Sequence, residues 1–293
     1  MSLIQPIIVG TDGSPAADNA VRWAAREARL HDAPLRIVTA LDGPPQVWGD
    51  FAIPSTYINE AREYAAARLD EASRIAAETG YENPETAILS GFAHADLIAE
   101  SKNARMLVLG SRGLSPFKAS MVGSVTHAVA SHVKSPLVVL QDLPAGWDTV
   151  PSAPVVVGVD GSEHNMAAID VAFAEASVRG AQLIAVHAWS DVALPKALRS
   201  EEGLPWQNLV TAEEARLSES LAGWGEKYPE VEVRRAVIQD RPVRYLTEIS
   251  AAASVVVVGS RGRGGFTGML LGSTSRALLH NCQCPLITVP TRS

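Results

Sequence analysis

The sequence predicts an α/β protein built as two tandem doubly wound domains, each a five-stranded parallel sheet with helices on both faces. Three observations carry the prediction. First, the chain repeats itself at long range: "PIIVGTDGSPAADNAVRWAAREA" from Pro6 returns as "PVVVGVDGSEHNMAAIDVAFAEAS" from Pro154, and "MLVLGSRG" from Met106 returns as "VVVVGSRG" from Val255. The register holds throughout, with an offset of 148 between Asp12 and Asp160 and of 149 between Gly110 and Gly259, Gly123 and Gly272, and Pro136 and Pro285. This is a duplicated domain, not a short-period solenoid. Second, each copy holds five short runs that are apolar on both faces, as strands of a covered parallel sheet are. Third, helical patterns alternate with these runs, which is the order of a doubly wound sandwich.

Taken in order, the strands of the first copy are "IIVG", "LRIVTA", "TAILS", "MLVLG" and "PLVVL"; those of the second are "VVVG", "QLIAVHA", "VEVRRAVI", "VVVVG" and "PLITV". Ser14 followed by Pro15 opens the helix of "AADNAVRWAAREARL", the serine as cap and the proline at the first helical position. The amphipathic pattern of "YAAARLDEASRIAAE" is accounted for by covering a sheet. "DLPAGWDTVPSAP" from Asp142, rich in proline and small residues, reads as a linker. The domains are therefore expected over 1–141 and 154–293, with the linker over 142–153.

Composition limits the function classes. A chain of 293 residues, 47% hydrophobic, can bury two cores of ordinary size. A net charge of −7 argues against general nucleic-acid or anionic-membrane binding, since both need an excess of Lys and Arg. No apolar run approaches the length of a bilayer span, and "MSLIQPIIVG" has neither the basic start nor the cleavage site of a secretion signal. A cytoplasmic protein is expected. Cys282 and Cys284 are too close in sequence for an unstrained disulfide and too few for a zinc site, so they read as buried thiols.

Ligands of doubly wound sheets bind beyond the carboxyl ends of the strands, where strand order reverses. After strand one come Asp12 and Asp160; after strand four come glycine loops, "GSRGLSPFKASMVGS" and "GSRGRGGFTGMLLGS". Successive glycines let backbone N–H groups converge on one concavity, and the helix that follows adds its positive end, so each loop reads as a phosphate cradle. Other phosphate loops are excluded. G-x4-G-K-[ST] is absent, and "GRGGFTG" both fails G-x-G-x-x-G and follows the wrong strand. His127 and His132, five apart on one helix, do not share a face and make no metal pair.

Both loops fit G-x2-G-x9-G-[ST], through Gly110, Gly113, Gly123 and Ser124 in the first copy and Gly259, Gly262, Gly272 and Ser273 in the second. The pattern resembles the ATP-binding signature of the universal stress proteins, and the chain resembles their tandem type, familiar from mycobacteria and other actinobacteria. The resemblance implies a strand order of 3-2-1-4-5, which sets Asp12 beside the Gly110 loop. It implies that Asp12 and Asp160 contact the ribose and adenine region and that backbone at Ala40 and Ala188 addresses adenine. The loop glycines with Ser124, Val125 and Thr126, or with Ser273, Thr274 and Ser275, would hold the phosphates of ATP, with or without magnesium. Arg112, Arg261 and Arg263 could add charge there. The resemblance further implies pairing of the edge strands into an intramolecular pseudo-dimer, a homodimer beyond that, and a role in stress or dormancy responses.

The copies differ in the loop, where Leu114, Ser115, Pro116, Phe117 and Lys118 stand opposite Arg263, Gly264, Gly265, Phe266 and Thr267. Two glycines fewer and one rigid proline predict tighter phosphate-dependent binding in the second copy. Neither loop shows a catalytic carboxylate pair or histidine beside it, so slow or absent turnover is expected, with no catalytic residue assigned. Two alternatives stand beside this reading: an ATPase or adenylyl-transfer enzyme of the related nucleotide-binding superfamily, and an interaction module that binds no nucleotide. Strand one ends in "GTDGSPAA" and "GVDGSEHN" rather than the "SGG-x-DS" or "H-x-G-H" of such enzymes, and the intact glycine spacing speaks against the last.

Overall fold

A computed structural model describes residues 4–41, 55–113, 122–141, 153–189, 206–239, 241–262 and 271–291. The chain divides into two compact units, Met1–Asp142 and Leu143–Ser293. Most of the expected linker, the middle of both glycine loops and the segments after strand two in each copy lie outside the described residues.

The first unit runs β1 (Ile7–Gly10), α1 (Pro15–Leu30), β2 (Leu35–Ala40), α2 (Ser55–Glu78), β3 (Glu85–Leu89), α3 (Ala93–Glu100), β4 (Met106–Gly110), α4 (Ser124–His132) and β5 (Leu137–Leu140). Its strands are parallel in the order β3-β2-β1-β4-β5, with Ile7 opposite Leu35 on one side and Met106 on the other. Right-handed crossovers then put the helices in two layers. Steps from β1 to β3 move one way and place α1 and α2 on one face, whereas steps from β3 to β5 move back and place α3 and α4 on the other. Accordingly α1 packs on α2 and α3 packs on α4. Ile7, Ile8, Val9, Leu107 and Val108 are buried between these layers, which is why their runs are apolar without alternation.

The second unit repeats the plan with β6 (Val155–Gly158), α5 (Met166–Arg179), β7 (Leu183–Trp189), α6 (Trp206–Ser220), a short α7 (Trp224–Lys227), β8 (Val233–Gln239), α8 (Pro242–Ser250), β9 (Val255–Gly259), α9 (Ser273–Asn281) and β10 (Leu286–Val289). Its order is β8-β7-β6-β9-β10, again parallel. The added α7 lays Trp224 and Tyr228 against Phe173 of α5, each with ring centroids 5.6 Å from it. The fold is thus the doubly wound, duplicated α/β architecture read from the sequence. Cys282 and Cys284 are buried free thiols, their sulfurs 3.9 Å apart. No helix among the described residues is long and apolar enough to cross a membrane.

The start of the first helix shows how local chemistry fixes the site. Ser14 caps α1 by accepting from the Ala17 N–H at 3.2 Å, with Pro15 just inside. In the second unit the same place holds a 3-10 turn (Glu163–Asn165) before α5, and Ser162 makes no cap bond to it. Ser162 bonds back to Asp160 instead.

Candidate functional site

Because β1 lies between β2 and β4, the carboxyl ends of β1 and β4 stand side by side, and the chain leaves them in opposite directions. That is the switch point at which doubly wound sheets form a crevice. Asp12 and Asp160 stand two residues past the end of strand one, and each organises the tight turn that follows. Asp12 Oδ1 accepts from the Ser14 N–H at 3.0 Å, and Asp160 Oδ1 from the Ser162 N–H at 2.9 Å and the Ser162 hydroxyl at 2.7 Å. The intervening Gly13 and Gly161 have φ of 78° and 73°, in the left-handed region that favours glycine.

The other carboxylate oxygen faces the loop after strand four. A Cβ on Gly113 would lie 2.4 Å from Asp12 Oδ2, and one on Gly262 would lie 2.8 Å from Asp160 Oδ2. A side chain there would have to push the carboxylate aside, so glycine lets loop and aspartate approach each other closely. Gly110 answers to a different constraint, since its Cβ would meet the Ala16 carbonyl carbon at 2.8 Å. It lets the first turn of α1 settle against the end of β4.

A cleft opens at each switch point, of about 430 Å³ in the first unit and about 350 Å³ in the second. The first is lined by Asp12, Ala40, Gly110, Arg112, Gly113, Gly123, Ser124, Val125 and Thr126, all of them singled out from the sequence. The second is lined by Asp160, Ala188, Gly259, Arg261, Gly262, Gly272, Ser273, Thr274 and Ser275. Arg263 lies outside the described residues. These volumes fall in the small-molecule range.

The two helix starts are built alike. The Gly123 N–H donates to Ser111 O and the Gly272 N–H to Ser260 O, both at 2.7 Å, which folds each loop back onto the strand end. Neither α4 nor α9 has a side-chain cap, so first-turn N–H groups at Ser124 and Val125, and at Ser273 and Thr274, stand at the cleft wall as donors for an anion. Thr126 and Ser275 differ in one respect from the reading as phosphate ligands. Their hydroxyls donate to Gly110 O at 2.8 Å and Gly259 O at 2.6 Å, and both residues are buried. Each hydroxyl proton is committed to bracing the helix on strand four, while Ser124 and Ser273 remain exposed.

Several lining residues were not legible in the sequence. Arg68 reaches the first cleft from α2, and Leu97 and Leu246 line the first and second clefts from α3 and α8. Asn165, 3% exposed, lines the second cleft; its amide donates to Gly158 O at 3.1 Å, and its Oδ1 has no hydrogen-bond partner among the described residues. Behind this cleft His187 of β7 bridges Val159 O (Nδ1, 2.7 Å) and Glu213 Oε2 of α6 (Nε2, 2.8 Å). Arg216 donates to the other Glu213 oxygen at 2.6 Å. Burial pushes the Glu213 carboxyl up, but the hydrogen bonds from His187 and Arg216 outweigh it and hold the group below its ordinary value. In the first unit a neutral hydroxyl does the corresponding work, Thr39 Oγ1 donating to Thr11 O at 2.8 Å.

Fold and clefts together define a tandem α/β protein with paired glycine-loop crevices at its switch points. The chain belongs to the universal stress protein family, whose profile matches residues 4–141 and 152–290. Universal stress protein Rv2623 of Mycobacterium tuberculosis is 37% identical over 285 residues, covering 96% of this chain and 95% of the relative. Universal stress protein Rv2005c of the same organism is 38% identical with the same coverage. Among solved structures, a universal stress protein from Archaeoglobus fulgidus superposes with a TM-score of 0.68 at 21% identity, over 98% of this chain and 96% of that one. This last likeness is one of fold.

Proposed function

We propose that each cleft binds ATP, with or without magnesium, as a structural or signalling ligand in a cytoplasmic stress or dormancy response. The observation that carries the reading is the same at both switch points: an aspartate oxygen sits directly against a loop glycine, where a Cβ would displace it, beside an uncapped helix start. A carboxylate suited to ribose hydroxyls and a set of N–H donors suited to phosphates thus face one cleft, and the apolar ends of strand two complete it. The first-turn N–H groups of α4 and α9, with the hydroxyls of Ser124 and Ser273, would hold the phosphates.

Slow or absent hydrolysis belongs to this reading. Asp12 and Asp160 are each engaged by the turn that follows them, which suits a carboxylate that orients a ligand better than one that activates water. A homodimer is also part of it, to be read by sedimentation with and without nucleotide.

The test is the identity and amount of nucleotide on gently purified protein, released by denaturation and quantified chromatographically. Close to two ATP per chain is the expected result. ADP alone, or steady turnover well above about 1 per minute, the low edge of enzyme rates, would replace the ligand reading with that of an ATPase. No nucleotide even after incubation with ATP would overturn binding altogether.

A further inference from the structure

The helix after strand two carries "ARL" in both units, at 67–69 and 215–217, with the same offset of 148 that relates Ala40 to Ala188. Leu69 and Leu217 are both buried, so the two segments share their register in space as well. The arginines between them nevertheless do different things. Arg216 is drawn onto Glu213, which in turn holds His187. At the matching positions the first unit has Ala65 and Thr39. No carboxylate stands there to hold Arg68.

Arg68 lies in the wall of the first cleft and also in a side pocket of about 290 Å³ that continues from it past Ala40 and Leu41. Its stem packs 3.6 to 3.8 Å from where a Cβ on Gly13 would be, next to Asp12, and its guanidinium stacks 4.5 Å over the Tyr64 ring. It is half-buried, and among the described residues it makes no hydrogen bond or ion pair. A guanidinium has five N–H donors in one plane and matches phosphate or carboxylate two bonds at a time. The Tyr64 contact is with the ring face and takes up none of these donors. Glu60 lines the side pocket as well, but is exposed, so water screens its charge.

The place of Arg68 along the cleft decides what it can recognise. It stands on the β2 side with Ala40 and Gly13, whereas the glycine loop and α4 stand on the β4 side. A ligand that meets both must carry anions at two separated points. In other doubly wound domains a carboxylate holds the ribose hydroxyl of one cofactor and a nearby arginine admits the ribose phosphate of another; the first cleft holds both groups, with Asp12 Oδ2 turned to the glycine loop and Arg68 on the β2 side. In the second unit the equivalent arginine is already paired with Glu213.

We infer that the first cleft, and not the second, selects nucleotides that carry a phosphate on the ribose as well as at the 5′ position, with Arg68 as the selecting residue. The inference rests on the reading of both clefts as nucleotide sites.

Titration calorimetry on the full chain tests it with two probes, adenosine 5′-monophosphate and adenosine 3′,5′-bisphosphate. Gly262→Val leaves the first cleft to be measured alone, and Gly113→Val leaves the second. In the Gly262→Val chain the bisphosphate should bind about tenfold more tightly than the monophosphate, as expected for one charge-assisted contact. In the Gly113→Val chain the ratio should be near one, which also controls for charge alone. Adding Arg68→Gln to Gly262→Val should abolish the preference, and Ala65→Glu, which gives Arg68 the partner that Arg216 has, should do the same. Equal ratios in the two clefts, or a ratio that Arg68→Gln leaves unchanged, would overturn the inference while leaving nucleotide binding intact. Failure of the unaltered chain to take up ATP or either probe would instead remove the reading on which it rests.

Discussion

Deleting the Glu213 carboxylate should destabilise the second unit by several kcal/mol, about 3–5. His187 is 3% exposed, and both of its ring nitrogens face atoms that only accept, a backbone carbonyl at 2.7 Å and a carboxylate at 2.8 Å. Val159 O serves one ring nitrogen and the Glu213 carboxylate the other, and the bonds from His187 and Arg216 hold that carboxyl below its ordinary value. Glu213→Ala leaves Nε2 of that buried ring without its partner while Nδ1 keeps Val159 O, and breaking a buried pair from one side costs about 3–5 kcal/mol. The Arg216 link adds little to this, because its side chain is 53% exposed and screened by water. At roughly 2–4 °C per kcal/mol for a domain of this size, the second unit should melt roughly 10 °C lower. The first unit supplies the control, since it manages the same place with Thr39 and Ala65. His187→Thr combined with Glu213→Ala installs that solution and should recover at least half of the loss. Calorimetric melting of the full chain at neutral pH reads both variants. A double variant no more stable than the single one, or a single variant within about 1 kcal/mol of the parent, would refute the argument.

The same pair makes the second unit acid-sensitive. The folded Glu213 carboxyl is held below its ordinary value of 4.5, so its contribution is complete above that pH and is lost as pH falls through the lower folded value. The melting temperature of the second unit should therefore drop on acidification below 4.5, and Glu213→Gln should flatten that part of the profile. At the first cleft, Gly113→Ala must displace Asp12, whose Oδ2 would be 2.4 Å from the new Cβ. Losing the charge-assisted bond that Asp12 holds is worth about 1.5–3 kcal/mol, so nucleotide affinity should fall at least about tenfold. Gly123→Ala, with 3.6 Å to Ser111 O, should stay within about threefold of the parent by the same calorimetry.

The fold was legible because its signals are local and doubled. "VVVVG" and "MLVLG" can be buried on both faces only in a covered parallel sheet, and the long-range repeat supplies every element twice. Strand ends moved by a residue or two, as in β8, which begins at Val233 where "VEVRRAVI" had marked Val231. The strand-one aspartates and the glycine spacing were legible for a similar reason, because backbone-made features leave a residue-type signature. What stayed hidden depends on the packing of helices against strands. "ARL" at 67 and 215 looks the same in both copies; only the hydrogen bonds that join Arg216, Glu213 and His187 show that one arginine is paired where the other is not. Nor could spacing separate the hydroxyls of Ser124 and Thr126, two residues apart, of which only the second is turned inward to Gly110 O.

The two clefts therefore differ at both ends, and in opposite directions. At the phosphate end, the described parts of the loops are equivalent: Gly123 and Gly272 make the same 2.7 Å bond, and α4 and α9 both start uncapped. Any difference there must come from residues 114–121 against 263–270, where the second copy has three more glycines and an additional arginine. More N–H groups free of side chains favour the second cleft for a ligand whose charge is all on the 5′ phosphates. At the strand-two end the advantage reverses, because Arg68 offers donors that Arg216 has spent. ATP should consequently bind more tightly to the Gly113→Val chain, which keeps the second cleft, than to the Gly262→Val chain, which keeps the first. Adding a ribose phosphate should narrow or invert that order. Were ATP to prefer the first cleft, the extra glycines could not govern affinity, and the arginine at the other end would have to act on ligands with no ribose phosphate at all.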